Sequence, residues 1–279
     1  MSAAIAAILV VAAAVLAGLL LPPWVRRRRR RRAYGLSLPA SMREAMARNV
    51  PLTRTLPADL VHRLEGLVIS FLREKQFVGC NGLDLNDEIR VTIASQACLL
   101  LLGRPGSLYD ELQSVLVYPA AFWVEDEVQD DDGLVTRRRR ELSGEAWDAH
   151  RVILSWEDIV ETAAHPAEGY NVVVHEFAHH LDAEGRGLAR RGRSPDAWDE
   201  AMGAQYDALC DAVERGEPTF LDPYAAEDES EFFAVVTEEF IECGAELRDA
   251  HPELYALMRE FYDLDPARWS ADGRHDDEA

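Results

Sequence analysis

Apolar positions recur at helical spacing through the first third of the folded part of the chain. "PADLVHRLEGLVISFLREK" sets Leu60, Leu64, Leu67, Val68 and Phe71 on one face of a helix. "DEIRVTIASQACLLLLG" repeats the pattern with Ile89, Ile93, Ala97 and Leu100 turned inward. Asp84 and Asn86 stand as caps before it, and Gly103 as a stop after it. The pattern then changes. "SVLVYPAAFWVEDEV" and, beyond an acidic Gly-containing turn at 130–133, "HRVILSWEDI" are rich in β-branched and aromatic residues and predict extended strands. Helical spacing returns at "NVVVHEFAHHLD" and continues nearly to the end. No internal repeat is visible. Helices, then strands, then helices predict an α+β domain, mostly helical with a small β-sheet, rather than a doubly wound parallel sheet.

The amino terminus has a different character. "AAIAAILVVAAAVLAGLLL", Ala3 to Leu21, carries no charge, and as a helix spans about 28 Å, close to the ~30 Å apolar thickness of a bilayer. Pro22 and Pro23 end it, Trp24 suits a membrane interface, and Arg26 to Arg32 follow. A cleavable export signal carries its positive charge before the apolar run, and here the charge comes after. The segment therefore predicts an N-terminal transmembrane helix with the rest of the chain in the cytoplasm, and an arginine block facing anionic headgroups. The alternative is a soluble cytoplasmic protein. The implied division is an anchor at 1–25, a basic juxtamembrane segment and linker at 26–54, a catalytic domain at 55–268 and a frayed tail at 269–279.

Charge narrows the partners. The formal net charge is −21, and setting aside the seven consecutive arginines leaves 22 basic against 50 acidic residues, or −28. Phosphate backbones are repelled by such a surface, so no nucleic acid is expected. Lys75 is the only lysine. Cys80, Cys98, Cys210 and Cys243 are widely spaced and read as buried thiols of a reducing compartment rather than a disulfide framework.

The chemistry concentrates in "NVVVHEFAHHLD", residues 171 to 182. Ionisable groups on a buried helix cost several kcal/mol unless something compensates them. In HExxH, His175 and His179 are four residues apart, about 400° of helix, and so share a face from which both imidazoles reach one metal ion. Neutral imidazole suits zinc, and one Zn2+ per chain is the cofactor this spacing predicts. Glu176 points about 100° away, beside the metal, where it can take a proton from an activated water. His180 faces elsewhere and reads as structural, as do His62, His150, His165, His251 and His275. A catalytic zinc needs a third protein ligand. The extended pattern HExxHxxGxxH is excluded, because Asp182 and Gly185 stand where it needs Gly and His. Asp182 lies on the histidine face, as a ligand or as a partner orienting an imidazole. "DPYAAEDESEFFAVVTEEFIE" offers a second acid-bearing helix, with Glu231 ahead of an apolar face, Glu227 and Glu229 as rivals, and Asp228 and Glu231 at capping-box spacing.

These segments resemble the Mlc titration factor A family, zinc metallopeptidases whose catalytic core is similar to that of anthrax lethal factor. The resemblance is carried in order by "FVGCNGLDLNDEIRVTIASQACLLLLG", "VLVYP", "GEAW", "VILSWEDI", "NVVVHEFAHHLDAEG", "DPYAAEDESEFFAVVTEEF" and "PELYALMREFYDLDP", over roughly residues 55 to 267. It implies a zincin-like fold, His175, His179 and Glu231 as zinc ligands, Glu176 as general base, and Tyr224 as the phenol that steadies the oxyanion. It also implies a peptide or protein substrate. The family's name implies a second role, binding a regulator so as to titrate a transcriptional repressor. Two departures stand out. Members of the family are soluble, whereas this chain has an apolar amino terminus. After "GEAW" the family has a Gly before the strand, where this chain has Asp148-Ala149-His150.

Overall fold

The computed structural model describes residue 25 and residues 28–33, 35–104, 108–120, 122–129, 135–142, 144–148, 150–164, 169–185 and 194–269. A short helix α1, residues 28–33, leads to α2 (Ala40–Asn49), a 3-10 turn at Pro51–Arg54 and α3 (Ala58–Glu74). Leu64, Leu67, Val68 and Phe71 of α3 are buried, as their spacing requires. The buried Glu65 on the same helix accepts Leu38 N–H at 3.1 Å and Arg43 Nε–H at 2.7 Å, which ties the start of the domain down. Helix α4 (Asp87–Leu99) is capped by Asn86, whose side chain accepts from Ile89 N–H at 2.9 Å. It is buried on nearly every face because α2, α3 and a later helix, α6, all pack on it.

The main sheet has the order β1-β2-β6-β5. β1 (Gln76–Gly79), β2 (Ser114–Tyr118) and β6 (Arg151–Ser155) are mutually parallel, with Phe77 opposite Val115 and Val115 opposite Val152. β5 (Gly144–Asp148) lies antiparallel on β6, with an irregularity between Glu145 and Asp148. β3 (Phe122–Gln129) and β4 (Val135–Leu142) form a separate antiparallel pair. α5 (Trp156–Ala164) follows β6 directly, and then comes α6 (Val172–Gly185). Val172, Val173, Val174, Phe177, Ala178 and Leu181 of α6 are all buried. Phe177 lies 4.7 Å from the ring of Tyr109 and 5.7 Å from that of Phe71, locking α6 to α3. The lone lysine has a structural task here: buried Lys75 donates to the carbonyls of Tyr109 and Leu112 and holds the approach to β2.

Four more helices close the fold: α7 (Pro195–Glu214), α8 (Glu229–Glu242), α9 (Gly244–Ala250) and α10 (Pro252–Tyr262), with a 3-10 turn at Pro223–Ala226. Phe233 and Trp198 stack around Phe261 at 5.0 and 5.6 Å, joining α8, α7 and α10. Gly103, expected as the stop of α4, lies four residues beyond the helix end at Leu99 and serves packing instead. A Cβ there would overlap the carbonyl oxygens of Tyr262 and Asp263, so a side chain would force α10 away. Cys80, Cys98, Cys210 and Cys243 are free thiols.

Two parts of the expected architecture need correction. Strands and helices are not segregated in the manner of α+β. Three strands are parallel, and parallel neighbours need crossovers; α4 carries the one from β1 to β2. β1 went unanticipated because four residues directly after a helix are too few to show alternation. The N-terminal transmembrane helix is not supported either: among the described residues no helix is long and apolar enough to cross a membrane, and Ala3–Leu21 lies outside them. Of the frayed tail expected at 269–279, Trp269 is buried against the domain and 270–279 lie outside the described residues.

The arginine block does not stand apart from the domain. Arg30 is buried, bidentate to Glu74 through Nε at 3.0 Å and Nη2 at 2.7 Å, and it reaches Asp110 at 2.5 Å. Ala33, one turn on, is buried beside it, while Arg29, Arg31 and Arg32 are exposed. Arg30→Met should therefore lower unfolding free energy by about 1.5–3 kcal/mol, the scale of lost charge-assisted hydrogen bonds. Arg31→Met should change little. Denaturant unfolding of both variants tests this, and an equal response would show that Arg30 does not dock α1.

Candidate metal centre

Asn171 starts α6: its side-chain oxygen accepts from Val174 N–H at 3.0 Å. One turn later His175 and His179 emerge on the same face, rings 4.9 Å apart and nearly perpendicular. α8 lies against that face. Its start is fixed by Asp228, which accepts from the N–H groups of Ser230 and Glu231 at 2.8 and 2.9 Å. Glu231 thereby sits in the first turn, where the positive helix end favours a carboxylate. Its spacing to Asp228 is that of a capping box, yet its side chain faces the histidines.

The three side chains converge. His175 Nε2 lies 3.2 Å from His179 Nε2 and 3.0 Å from Glu231 Oε2, and His179 Nε2 lies 3.6 Å from Glu231 Oε1. Ligand atoms of all three fall within 4.8 Å of one another, so this set can hold a metal ion. The fit to a small tetrahedral cation is close. Bonds of 2.0–2.1 Å imply ligand–ligand edges of about 3.3 Å, within the spread of these contacts. Each imidazole is also restrained from behind: His175 Nδ1 meets Glu238 Oε1 at 2.6 Å, and His179 Nδ1 meets Ser230 Oγ at 2.9 Å. Both Nε2 atoms therefore face the centre.

The field of the site favours positive charge. Burial resists protonation of His175, but hydrogen bonds to Glu231 and Glu238 outweigh it and push its pKa up to about 10. Burial works against the charge of Glu231, and hydrogen bonds from His175 and His179 overcome it, holding the carboxyl far below its usual range. A site that grips a proton this firmly also stabilises a cation.

Glu176 is 6% exposed, one residue from His175 on the same helix. Tyr224 is exposed, with its ring centroid 6.3 Å from that of His175. It sits in the 3-10 turn Pro223–Ala226, started by Asp222, whose side chain accepts Tyr224 N–H at 2.8 Å. His180 is buried against Phe177 and stays outside the ligand set. Asp182 lines a neighbouring pocket with Trp198, Met202, Tyr206 and Phe232, and the imidazole partners are Glu238 and Ser230 instead. The rivals Glu227 and Glu229 are exposed. His150 contacts the carbonyl of Glu111, while His165 and His275 lie outside the described residues.

Sequence reasoning missed Glu238, Ser230 and Asn171. The available signal was spacing: Glu238 lies seven residues after Glu231, two turns along the same face.

Two helices thus bring two imidazoles and a carboxylate to one point, a group that can hold a metal ion. The comparisons agree. The chain matches the family described as glucose-regulated metallo-peptidase M90 over residues 24–263, and it belongs to that family. It is 38% identical over 235 residues to the uncharacterized protein slr2042 of Synechocystis sp., covering 82% of this chain and 86% of that one. It is 33% identical to Mlc titration factor A of Pectobacterium atrosepticum over 227 residues, 79% of this chain and 85% of the relative. Against Mlc titration factor A of Klebsiella pneumoniae the identity is 33% over 246 residues, 85% and 92% of the two chains.

Behind the centre, Glu239 and Glu242 are each pushed up to about 7. Burial is the main cause for both, and Glu238 repels both. Gly169, at φ +72°, leaves the room that the Glu239 carboxyl occupies. The sign follows. A carboxyl with a raised folded-state pKa contributes stability below its ordinary value near 4.5, and that contribution is lost as pH rises through about 7. Glu239→Gln should thus raise Tm at pH 8 by about 2–4 °C per kcal/mol gained and give no gain at pH 4.5. A gain of equal size at both pH values would contradict the assignment.

Proposed function

We propose that the protein is a zinc-dependent peptidase. The observation that carries this reading is the convergence of His175, His179 and Glu231 on one point, with both Nδ1 atoms already engaged. These three residues would hold the zinc. When bound it supplies Lewis-acid polarisation of an amide carbonyl and acidification of water. The chain does the rest. Glu176 takes a proton from the attacking water and later delivers it to the departing amine. Tyr224, on the exposed side of His175, donates its phenolic O–H to the carbonyl oxygen as that oxygen becomes negative. The substrate class is a peptide or protein chain, in keeping with membership of a metallo-peptidase family.

The relatives' name supports a second reading. Several are called Mlc titration factor A, and on that reading this chain is a binder that titrates a transcriptional repressor, with hydrolysis secondary. A buried glutamate inside HExxH favours chemistry, since a pure binder has no use for a proton acceptor there.

The purified full chain should contain about one zinc, and His175→Ala or His179→Ala should lose it by elemental analysis. Glu176→Gln should keep zinc and fold while losing peptidase activity, because an amide accepts no proton in this pH range. Undiminished hydrolysis by Glu176→Gln would exclude the mechanism.

Tyr224→Phe separates a catalytic phenol from a packing ring. A donor that acts only in the transition state should cost roughly 10²–10³ in kcat, with KM and zinc content unchanged. Wild-type kcat in this variant would remove Tyr224 from the reaction and leave the metal ligands standing.

A further inference from the structure

We infer that Glu238, clamped by Asn171, is the positioning residue that fixes His175 as the rigid member of the ligand set, while His179 is held more loosely by Ser230. The inference rests on the zinc-peptidase reading and concerns what sets the affinity of that site.

Glu238 has almost no exposed surface, its side chain being 2% accessible. Both of its oxygens are used. Oε1 lies 2.6 Å from His175 Nδ1, and Oε2 accepts the backbone N–H of Asn171 at 2.5 Å. Asn171 is tied down in turn. Its Oδ1 caps Val174 N–H, its carbonyl accepts His175 N–H at 2.9 Å, and its Nδ2 donates to Glu242 Oε1 at 2.7 Å. Glu231, Glu238 and Glu242 stand at i, i+7 and i+11, within about 20° of whole helical turns, so one face of α8 presents all three to α6. Asn171 thus couples the start of the HExxH helix to the carboxylate that orients its first imidazole.

An Nδ1–H donated to a fixed carboxylate leaves one tautomer for His175, with the Nε2 lone pair aimed at the centre. The arrangement at His179 is weaker. Its Nδ1 partner is a neutral hydroxyl in the first turn of α8, and this contact is only part-buried. The Glu238 contact to His175 is shorter, at 2.6 Å against 2.9 Å, and fully buried. The two imidazoles, equivalent in the sequence motif, are therefore unequally held.

The test compares the full chain with Glu238→Gln, Glu238→Ala, Ser230→Ala and His175→Ala. Zinc affinity is read by competition with a chromogenic chelator, and ligand geometry by the visible absorption of the Co2+-substituted protein. Glutamine can still accept from His175 but then turns its NH2 toward Asn171 N–H, donor against donor. Both Glu238 variants should bind zinc about 10–100-fold more weakly and shift the Co2+ bands. Ser230→Ala should cost less than about tenfold, below that range, because its contact to His179 is longer and only part-buried. Circular dichroism reports folding. Wild-type affinity in a folded Glu238 variant overturns the inference, as does a larger loss in Ser230→Ala than in Glu238→Gln. If both Glu238 variants lose their helical signal, Glu238 is a structural support and the inference also fails. Zinc retained by His175→Ala counts instead against the peptidase reading itself.

Discussion

Everything at the centre depends on how charged side chains enclosed between α6 and α8 neutralise one another. An ionised group removed from water costs several kcal/mol unless an opposite charge and hydrogen bonds replace the lost solvation. Here the replacement is distributed. Asn171 offers its N–H to Glu238 and its amide to Glu242, His175 lies between Glu238 and Glu231, and His179 lies between Glu231 and Ser230. All but the 3.6 Å approach of His179 to Glu231 are hydrogen bonds of 2.5–3.0 Å, so the two helices cannot slide past one another without breaking several at once. The apolar packing beneath them, with Phe177 against Tyr109 and Phe71, sets where α6 lies, and the polar network sets its rotation against α8.

The helices that carry the site were legible in the sequence, and the sheet was less so. Leu64, Leu67, Val68 and Phe71 announce α3 by period alone, and Asn86 was correctly read as the cap of α4. HExxH named two members of the metal-capable group, but spacing could not choose among Glu227, Glu229 and Glu231. Fold did so, by exposing the first two and turning the third inward. Glu238 was hidden among apolar residues, because a buried carboxylate looks like a patterning error until its partner on another helix is known. β1 was hidden by brevity, and the parallel arrangement by the length of chain separating its strands. Within the arginine run, the role of Arg30 was not legible. Seven like charges suggest a solvated or lipid-facing segment, yet Arg30 has Glu74 and Asp110 as partners within the domain.

The chain's acidity and its metal-capable centre are linked by one electrostatic constraint. His175 stands between Glu231, whose carboxyl the two histidines hold far below its usual range against the effect of burial, and Glu238, whose carboxyl burial pushes up. Further charge behind the site would oppose its neighbours. The structure avoids this by burial: Glu239 and Glu242, adjacent to Glu238 on α8, are pushed up to about 7 and so are held partly neutral. Glu176 is also buried, beside His175 on α6. The acids on α8 are thus not equivalent copies of one charge. Glu231 faces the centre, Glu238 orients an imidazole, and Glu239 and Glu242 fill the space behind with carboxyls whose charge is suppressed. That gradation, from Glu231 held ionised at the front to carboxyls pushed up by burial behind it, lets one helix face carry several acids without a matching crowd of negative charge.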